Sequence, residues 1–226
     1  MGMAQFTPIT NVVISQEWTG SGTGTNFWLE SITAGGNTYA TNGLAFGTTS
    51  VSVGAPPANI SNMDSWNLST IATPFTAGNL PIRTVLFGGA NWTDSNGSLL
   101  DFFLFEASSG ANPDDITIAA ILPGGGLGLS ITAPTIVAPA GWGNTGFLMT
   151  IQQTGQNLTG LAWSITDLKD GLGNFLTTSD VIEGIAITGG NGIDPAGFYA
   201  VVPVPEPSAL ALLGLGGLAL FRKRRQ

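Results

Sequence analysis

The clearest candidates for chemistry in this chain are carboxylates, because the sequence has 14 Asp and Glu residues but no His and no Cys. Without those two residue types the chain cannot form a Ser-His-Asp triad, a thiolate nucleophile, a Cys/His zinc site or a disulfide. Three uses of the carboxylates stay open: a pair for glycoside hydrolysis, an oxygen-ligand calcium site, or plain solvated charge.

A carboxylate pair would have to place two acids on the same side of one substrate. Asp101 and Glu106 flank an apolar run and are the pair to test, but they are separated by an odd number of positions. On a regular strand such residues point to opposite faces, so they share a substrate only if a bulge intervenes. We therefore expect a protein that is not an enzyme.

A calcium site would need six to eight oxygen ligands, which the loops of a β-sandwich can supply. The candidates are Asp114 with Asp115, and Asp167 with Asp170, supplemented by Asp194. None of them has EF-hand spacing, and a turn explains the first pair equally well. Calcium is the one cofactor that the sequence leaves open, and turn or surface charge is the favoured interpretation of these acids.

Aromatic side chains offer a second kind of site, because an exposed ring face can pack on a sugar. Trp92 and Trp142 are the best candidates, since Gly, Asn or Asp surround them as in loops. Most tryptophans of a sandwich belong to its core, so burial is the competing interpretation. The chain has six: Trp18, Trp28, Trp66, Trp92, Trp142 and Trp163.

The elements that would position these residues are predicted to be β-strands. About a dozen short apolar or alternating runs, among them Leu127–Ile131, recur between Gly, Asn, Pro and Ser residues, and only 9% of the chain is charged. This pattern predicts an all-β, antiparallel sandwich or jelly roll over residues 1–202. The run Leu99–Glu106 is apolar on both pleat faces, so we expect it in mid-sheet between two covered layers. Thr166–Leu172 is the one place where a helical turn is expected.

The last residues of the chain form three consecutive segments. Residues 203–208 have Pro at alternate positions, which predicts an extended linker that ends the folded domain near Val202. Residues 209–221 are apolar apart from glycines, and Ser208 before them is a good N-cap. The stretch from Ser208 to Phe221 predicts a short helix of about 21 Å, less than the roughly 30 Å of a hydrocarbon core. Residues 222–226 are a basic tail, which the positive-inside tendency assigns to the cytoplasm.

The order of a Pro-Glu-Pro motif, an apolar run and a basic cluster resembles the PEP-CTERM sorting signal. The resemblance implies that Pro205, Glu206 and Pro207 are the recognition motif. It implies a stop-transfer role for four basic residues, Arg222, Lys223, Arg224 and Arg225. It also implies processing by an exosortase at the inner membrane, in Gram-negative bacteria that make exopolysaccharide. The apolar run would then be a transient transmembrane helix before release to the cell surface or extracellular matrix.

The charge of the chain bears on its partners, and its first residues bear on its export. Upstream of the basic cluster the chain has 14 acidic residues and two basic ones, Arg83 and Lys169, so we expect no nucleic-acid partner. Residues 1–10 have neither a basic n-region nor an apolar run. An export signal is therefore expected upstream of residue 1, or is missing from this chain.

The resulting hypothesis is an exosortase-sorted, non-catalytic protein of the surface or extracellular matrix. Its β-sandwich ectodomain would associate with exopolysaccharide or biofilm through a surface rich in hydroxyl and amide groups. The first alternative is a calcium-assisted carbohydrate-binding module, which calcium would stabilise by mass action. The second is a histidine-free glycoside hydrolase, which would need two carboxylates that converge in a cleft.

Overall fold

The computed structural model describes residues 6–18, 25–46, 48–51, 66, 68, 82–85, 92–94, 100–108, 116–133, 142–149, 156–189 and 195–201. Within these ranges the helical elements are two 3-10 turns of three residues, Thr41–Gly43 and Ile165–Asp167. All other regular elements there are strands: β1 Thr7–Trp18, β2 Thr25–Ala34, β3 Asn37–Ala40, β4 Leu44–Ala45, β5 Thr48–Val51, β6 Ile82–Val85, β7 Phe102–Ser108, β8 Ile116–Ile121, β9 Ile131–Thr132, β10 Gly143–Met149, β11 Gln156–Trp163, β12 Gly184–Gly189 and β13 Pro195–Val201.

The strands form two antiparallel sheets. The larger sheet has the order β3-β2-β1-β11-β7-β13-β4, and β10 pairs with β11 beside β1. The smaller sheet has the order β5-β6-β12-β8-β9. Neighbours in space are often distant in sequence, as for β1 and β11, which is the connectivity expected of a sandwich rather than of a simple meander. The predicted all-β, antiparallel fold is confirmed, while the predicted C-terminal helix lies outside the described residues.

The first hydrophobic core lies between the two sheets. It contains Phe102 and Leu104 of β7 and, facing them, Ile118 of β8 and Ile185 of β12, all fully buried. Alternate residues of β7, such as Phe103 and Phe105, are equally buried in a second core. Strand β7 therefore lies between two covered layers, with β11 and β13 as its neighbours, which confirms the prediction from its apolar pattern.

The second core lies under an arm formed by β1, β2 and β3. Ile9 of β1 and Ile32 of β2 pack in the same cluster as Phe103 and Phe105 of β7. Strand β1 pairs with β11 through Thr7 and Pro8 and then continues along β2. It can do so because β11 has a glycine, Gly160, at the point where Ile9 crosses: a Cβ there would lie 2.7 Å from Cδ1 of Ile9.

Two glycine-rich turns agree with the sequence pattern, and one predicted strand does not. Gly35 and Gly36 join β2 to β3 and have positive φ. Gly124 and Gly125, in the turn after β8, also have positive φ. The run 127–131, predicted as a strand, is mainly a loop that ends in the two-residue β9. Its backbone bonds to different neighbours, Gly128 N to Ala120 O and Leu129 N to Asp170 O, so no single ladder forms.

Candidate functional site

Strand β13 ends at Val201, two residues before the Pro-rich segment, and its end is held by hydrogen bonds. The backbone N of Val201 donates to the O of Asp101 at 2.8 Å. The indole Nε1 of Trp92 donates to the O of Val201 at 2.9 Å, in a buried position. Trp92 is itself paired with Ile182 through both backbone groups. We call this end of the sandwich the exit end, because the chain leaves the fold there.

Asp101 connects three strands at the exit end. It is fully buried, and its backbone N donates to the O of Trp163 at the end of β11. Its Oδ2 accepts from Oγ of Ser164 at 3.0 Å and from the backbone N of Ile165 at 2.8 Å. Asp101, Trp92, Ser164 and Val201 form a continuous hydrogen-bonded unit, which we call the exit frame.

Ser164 and Asp167 shape the turn that follows β11. The Ser164 hydroxyl oxygen accepts from the backbone N of Thr166, and Oδ2 of Asp167 accepts from the backbone N of Ser164 at 2.9 Å. This reciprocal arrangement is a capping box, which satisfies donors that a helical turn would otherwise leave open. The Ser-X-X-Asp spacing was the sequence signal for it, and sequence reasoning missed it.

A cleft of about 300 Å³ opens beside this turn. Five of its seven lining residues have hydroxyl, amide or carboxylate side chains and one, a leucine, is apolar; they are Thr7, Gly35, Asn37, Leu100, Ser164, Thr166 and Asp167. Groups of this kind exchange hydrogen bonds with a neutral polyol or with water. Nearby, burial and then the charge of Asp101 raise the pKa of the Tyr39 phenol, while a hydrogen bond with Asn37 lowers it.

The two tryptophans predicted as ligand platforms are core residues. Trp92 is 1% exposed and packs on Phe102 with ring centroids 4.8 Å apart, and Trp142 is fully buried. The prediction that their ring faces are exposed for a sugar is therefore wrong. Flanking Gly, Asn and Asp residues indicated loops, but both indoles fill the space between the sheets. Trp66, stacked on Tyr199 at 4.9 Å, is half-buried.

Of the five predicted calcium ligands, three lie outside the described residues and two accept hydrogen bonds from backbone N–H groups. Asp114, Asp115 and Asp194 lie outside the described ranges. Asp167 closes the capping box, and Asp170 binds its own loop: Oδ1 accepts from the backbone N of Leu172 and of Asn174, both at 2.8 Å. In the part of the chain that the structure describes, no three His, Cys, Asp or Glu residues form a metal-binding group.

Asp101, just before β7, and Glu106, within β7, also stay apart. The ladder between β7 and β11 runs without a bulge from Phe102 to Ser108, so side chains alternate regularly along it. Asp101 and Glu106 therefore point to opposite faces, as the sequence predicts, and both are buried. They do not form a carboxylate pair around one cleft.

The comparison with known families identifies the segment that follows the exit end. Residues 203–225 match the PEP-CTERM protein-sorting motif, and this range contains Pro205, Glu206 and Pro207 as well as Arg222, Lys223, Arg224 and Arg225. A search of curated proteins found no match to this chain. The motif implies exosortase processing, export, and a transient membrane-anchored state before display at the cell surface.

The matched segment itself lies outside the described residues, as do the predicted linker 203–208, helix 209–221 and tail 222–226. Among the described residues, no helix has the length and apolar character needed to span a bilayer.

Proposed function

We propose that this chain is a non-catalytic protein of the bacterial surface or extracellular matrix, sorted by an exosortase in a Gram-negative host and associated with exopolysaccharide. The observation that carries the proposal is the match of residues 203–225 to the PEP-CTERM sorting motif. The described fold ends at Val201, so the sorting segment follows the domain directly and can be processed without disturbing it. The folded sandwich is then the part that is delivered.

The use of the described carboxylates supports a non-catalytic role. Asp101, Asp167, Asp170 and Asp180 each accept hydrogen bonds from backbone N–H groups of their own turn or neighbouring turn. Such carboxylates stabilise turns, and the hydrogen bonds lower the pKa of Asp170 and of Asp180. A glycoside hydrolase needs a protonated acid opposite a second carboxylate, and these four residues are engaged in other ways.

The cleft at the exit end supports an association with polysaccharide. Asn37 and Thr166 on its rim are exposed, and the remaining polar lining consists of hydroxyl groups and one carboxylate. The amide and hydroxyl groups among them bind sugar hydroxyls without requiring charge, which suits an uncharged or weakly charged polymer. The acidic composition of the domain disfavours anionic polymers, because like charges repel.

Sorting is tested by intact-mass analysis of the protein from its own host, expressed with its upstream reading frame, in strains with and without the exosortase. The expected result is loss of the PEP region and everything after it, and only in the strain that has the enzyme. An intact tail through Gln226 in both strains would contradict the sorting role.

Polysaccharide association is tested by co-sedimentation of the protein with exopolysaccharide purified from the same host. Asn37→Ala and Thr166→Ala should weaken binding, whereas Asn11→Ala and Thr132→Ala, two exposed polar residues on β1 and β9, should leave it unchanged. Equal binding by all four variants would remove the cleft from the proposal. Binding that is lost only with a chelator would favour the calcium-assisted module, and release of reducing ends would identify a histidine-free hydrolase.

A further inference from the structure

Exposed apolar side chains are concentrated on two loops. Among the described residues, four large hydrophobic side chains are exposed, and three of them are Leu127, Leu129 and Leu172, at 48%, 50% and 88%. The fourth, Val13, is on β1 at 45%. The three leucines belong to residues 122–130 and 168–177, which we call the leucine loops. Leu129 reaches the loop of Leu172, since a Cβ added at the neighbouring Gly173 would lie 3.2 Å from Cδ1 of Leu129. An exposed apolar patch on a polar domain marks a surface that contacts something.

The leucine loops are fixed to each other by their backbones. Leu129 N donates to the O of Asp170 at 3.0 Å. A Cβ on Gly128 would lie 1.9 Å from the O of Lys169, so the two backbones touch and only glycine fits there. Asp170 then holds the tip of the second loop through the backbone N of Leu172 and of Asn174. Leu172 is thus presented to solvent by an ordered turn.

The leucine loops lie at the exit end. The first loop follows Ile121, whose O accepts from Glu183 N at 2.7 Å. The neighbouring Ile182 pairs with Trp92, and the Trp92 indole donates to Val201. The patch and the point where the chain leaves the fold are therefore connected by adjacent hydrogen-bonded residues.

The charge of the leucine loops and the length of the chain that follows Val201 indicate what the patch contacts. The leucine loops together contain one base, Lys169, and one acid, Asp170, so they are neutral in an otherwise acidic chain. Residues 202–208 separate Val201 from the apolar segment 209–221 and span at most about 25 Å when extended. While the sorting segment is in the membrane, Val201 lies within that distance of the bilayer, and the leucine loops are at the same end of the sandwich. A tether of this length makes even a weak contact effectively intramolecular.

We infer that the leucine loops are a membrane-contact surface: in the anchored state Leu127, Leu129 and Leu172 insert into the interface of a zwitterionic bilayer and set the orientation of the sandwich. Neutral loops are neither repelled nor attracted by such lipid, and apolar side chains partition into the boundary between headgroups and acyl chains. The contact ends when the sorting segment is cleaved, because the tether is then lost. This inference rests on the anchored state in the proposed function.

The test uses the full chain in phosphatidylcholine vesicles that contain doxyl-labelled lipid. Because the protein has no cysteine, single sites can be labelled with an environment-sensitive fluorophore through Leu172→Cys, Leu129→Cys, Val13→Cys and Ala211→Cys. Val13 is the matched control: it is similarly exposed but lies six residues beyond Thr7, about 20 Å along β1 from the exit end. Ala211 reports whether the apolar segment is in the bilayer.

We expect the labelled lipid to quench the emission of the fluorophore at positions 172, 129 and 211. The emission of the fluorophore at position 13 should not change. Quenching at 211 without quenching at 172 and 129 would overturn the inference and leave the anchored state intact. An emission blue shift at 172 without lipid quenching would show that protein covers the patch, either a second copy or the chain's own apolar segment, and would also overturn it. No quenching at 211 would refute the anchored state, and this inference with it.

Discussion

The exit frame and the leucine loops lie at the same end of the sandwich. In each of them an aspartate side chain accepts hydrogen bonds from backbone N–H groups, but one aspartate is buried and the other is at the surface. In the exit frame Asp101 accepts hydrogen bonds from Ser164 and Ile165 with no contact with solvent. In the leucine loops Asp170 accepts from Leu172 and Asn174 at the surface. Water can replace the partners of Asp170 but not those of Asp101, so the same hydrogen bonds stabilise the two regions to different extents.

This difference separates two roles at one end of the molecule. The exit frame ties β7, β11 and β13 together where the chain leaves the fold, so it contributes to global stability. The leucine loops are ordered locally and expose apolar groups, so changes there should alter contacts rather than folding. Substitutions at matched positions in the two regions should therefore differ in their effect on stability.

The largest expected effect comes from Asp101→Ala. The substitution leaves the buried donors on Ser164 and Ile165 without their acceptor, which costs about 3 kcal/mol of unfolding free energy. Asp170→Ala is the matched control and should shift the urea midpoint far less, because water replaces its acceptor. Equal shifts in the two variants would show that burial does not distinguish the regions.

Trp92→Phe removes the hydrogen bond to the last described residue of the fold. The O of Val201 then loses a buried donor, and we expect a destabilisation about 1–2 kcal/mol larger than that of Trp142→Phe. Trp142 is a fair control because it is equally buried and its Nε1 donates no hydrogen bond within the described residues. Chemical denaturation of both variants measures the difference. Indistinguishable midpoints would contradict a role for the indole N–H at the exit.

Alkaline pH tests the buried region at the exit end through Tyr199, which lies two residues before Val201. Burial raises the pKa of Tyr199 above its ordinary value of 10.0, so the neutral phenol is favoured in the folded state. Its stabilising contribution is complete below pH 10 and is lost as pH rises further, by about 1.4 kcal/mol per pH unit. Tyr199→Phe should flatten this dependence, as followed by urea unfolding at several pH values. An unchanged slope would show that Tyr39 or another group is responsible.

Acid pH tests the exposed leucine loops and should have the smallest effect on stability. The side-chain hydrogen bond from Asn174, followed by its backbone N–H and those of Leu172 and Gly173, lowers the pKa of Asp170. The stabilising contribution of the carboxylate is therefore present above its ordinary pKa of 3.8 and is lost as pH falls through the lowered value. Hydrogen exchange should show the amides of Leu172 and Asn174 losing protection while the Val201 amide keeps it. Loss of protection at both places together would mean that the leucine loops and exit frame open as one unit.

Much of the fold follows from local sequence patterns. The alternation along most strands, the glycines of the β2–β3 turn and the apolar run of β7 are each set by neighbours in sequence, so they could be predicted. The run 127–131 could not, because the partners of Gly128 and Leu129 belong to strand β8 and to the loop of Asp170. The short β3 was missed because it is mostly exposed and has no apolar alternation.

The candidate site, like the fold, could be predicted from the sequence only in part. Its carboxylates are visible in the sequence, but the partners of Asp101 lie more than 60 positions away in the chain. The Gly, Asn and Asp residues near Trp92 and Trp142 indicated loops, whereas burial depends on the sheets that close over the indoles. Local composition contains no information about that closure.

The sequence alone determined the class of the fold and the sorting motif at residues 203–225, because strand periodicity and a linear recognition signal depend only on residue order. Three features depend on the folded structure: Asp101 is a buried acceptor, the Trp92 indole donates to Val201, and three leucines from two loops are exposed at the exit end. These features depend on distant segments that come together only when both sheets pack, and residue order does not reveal such contacts.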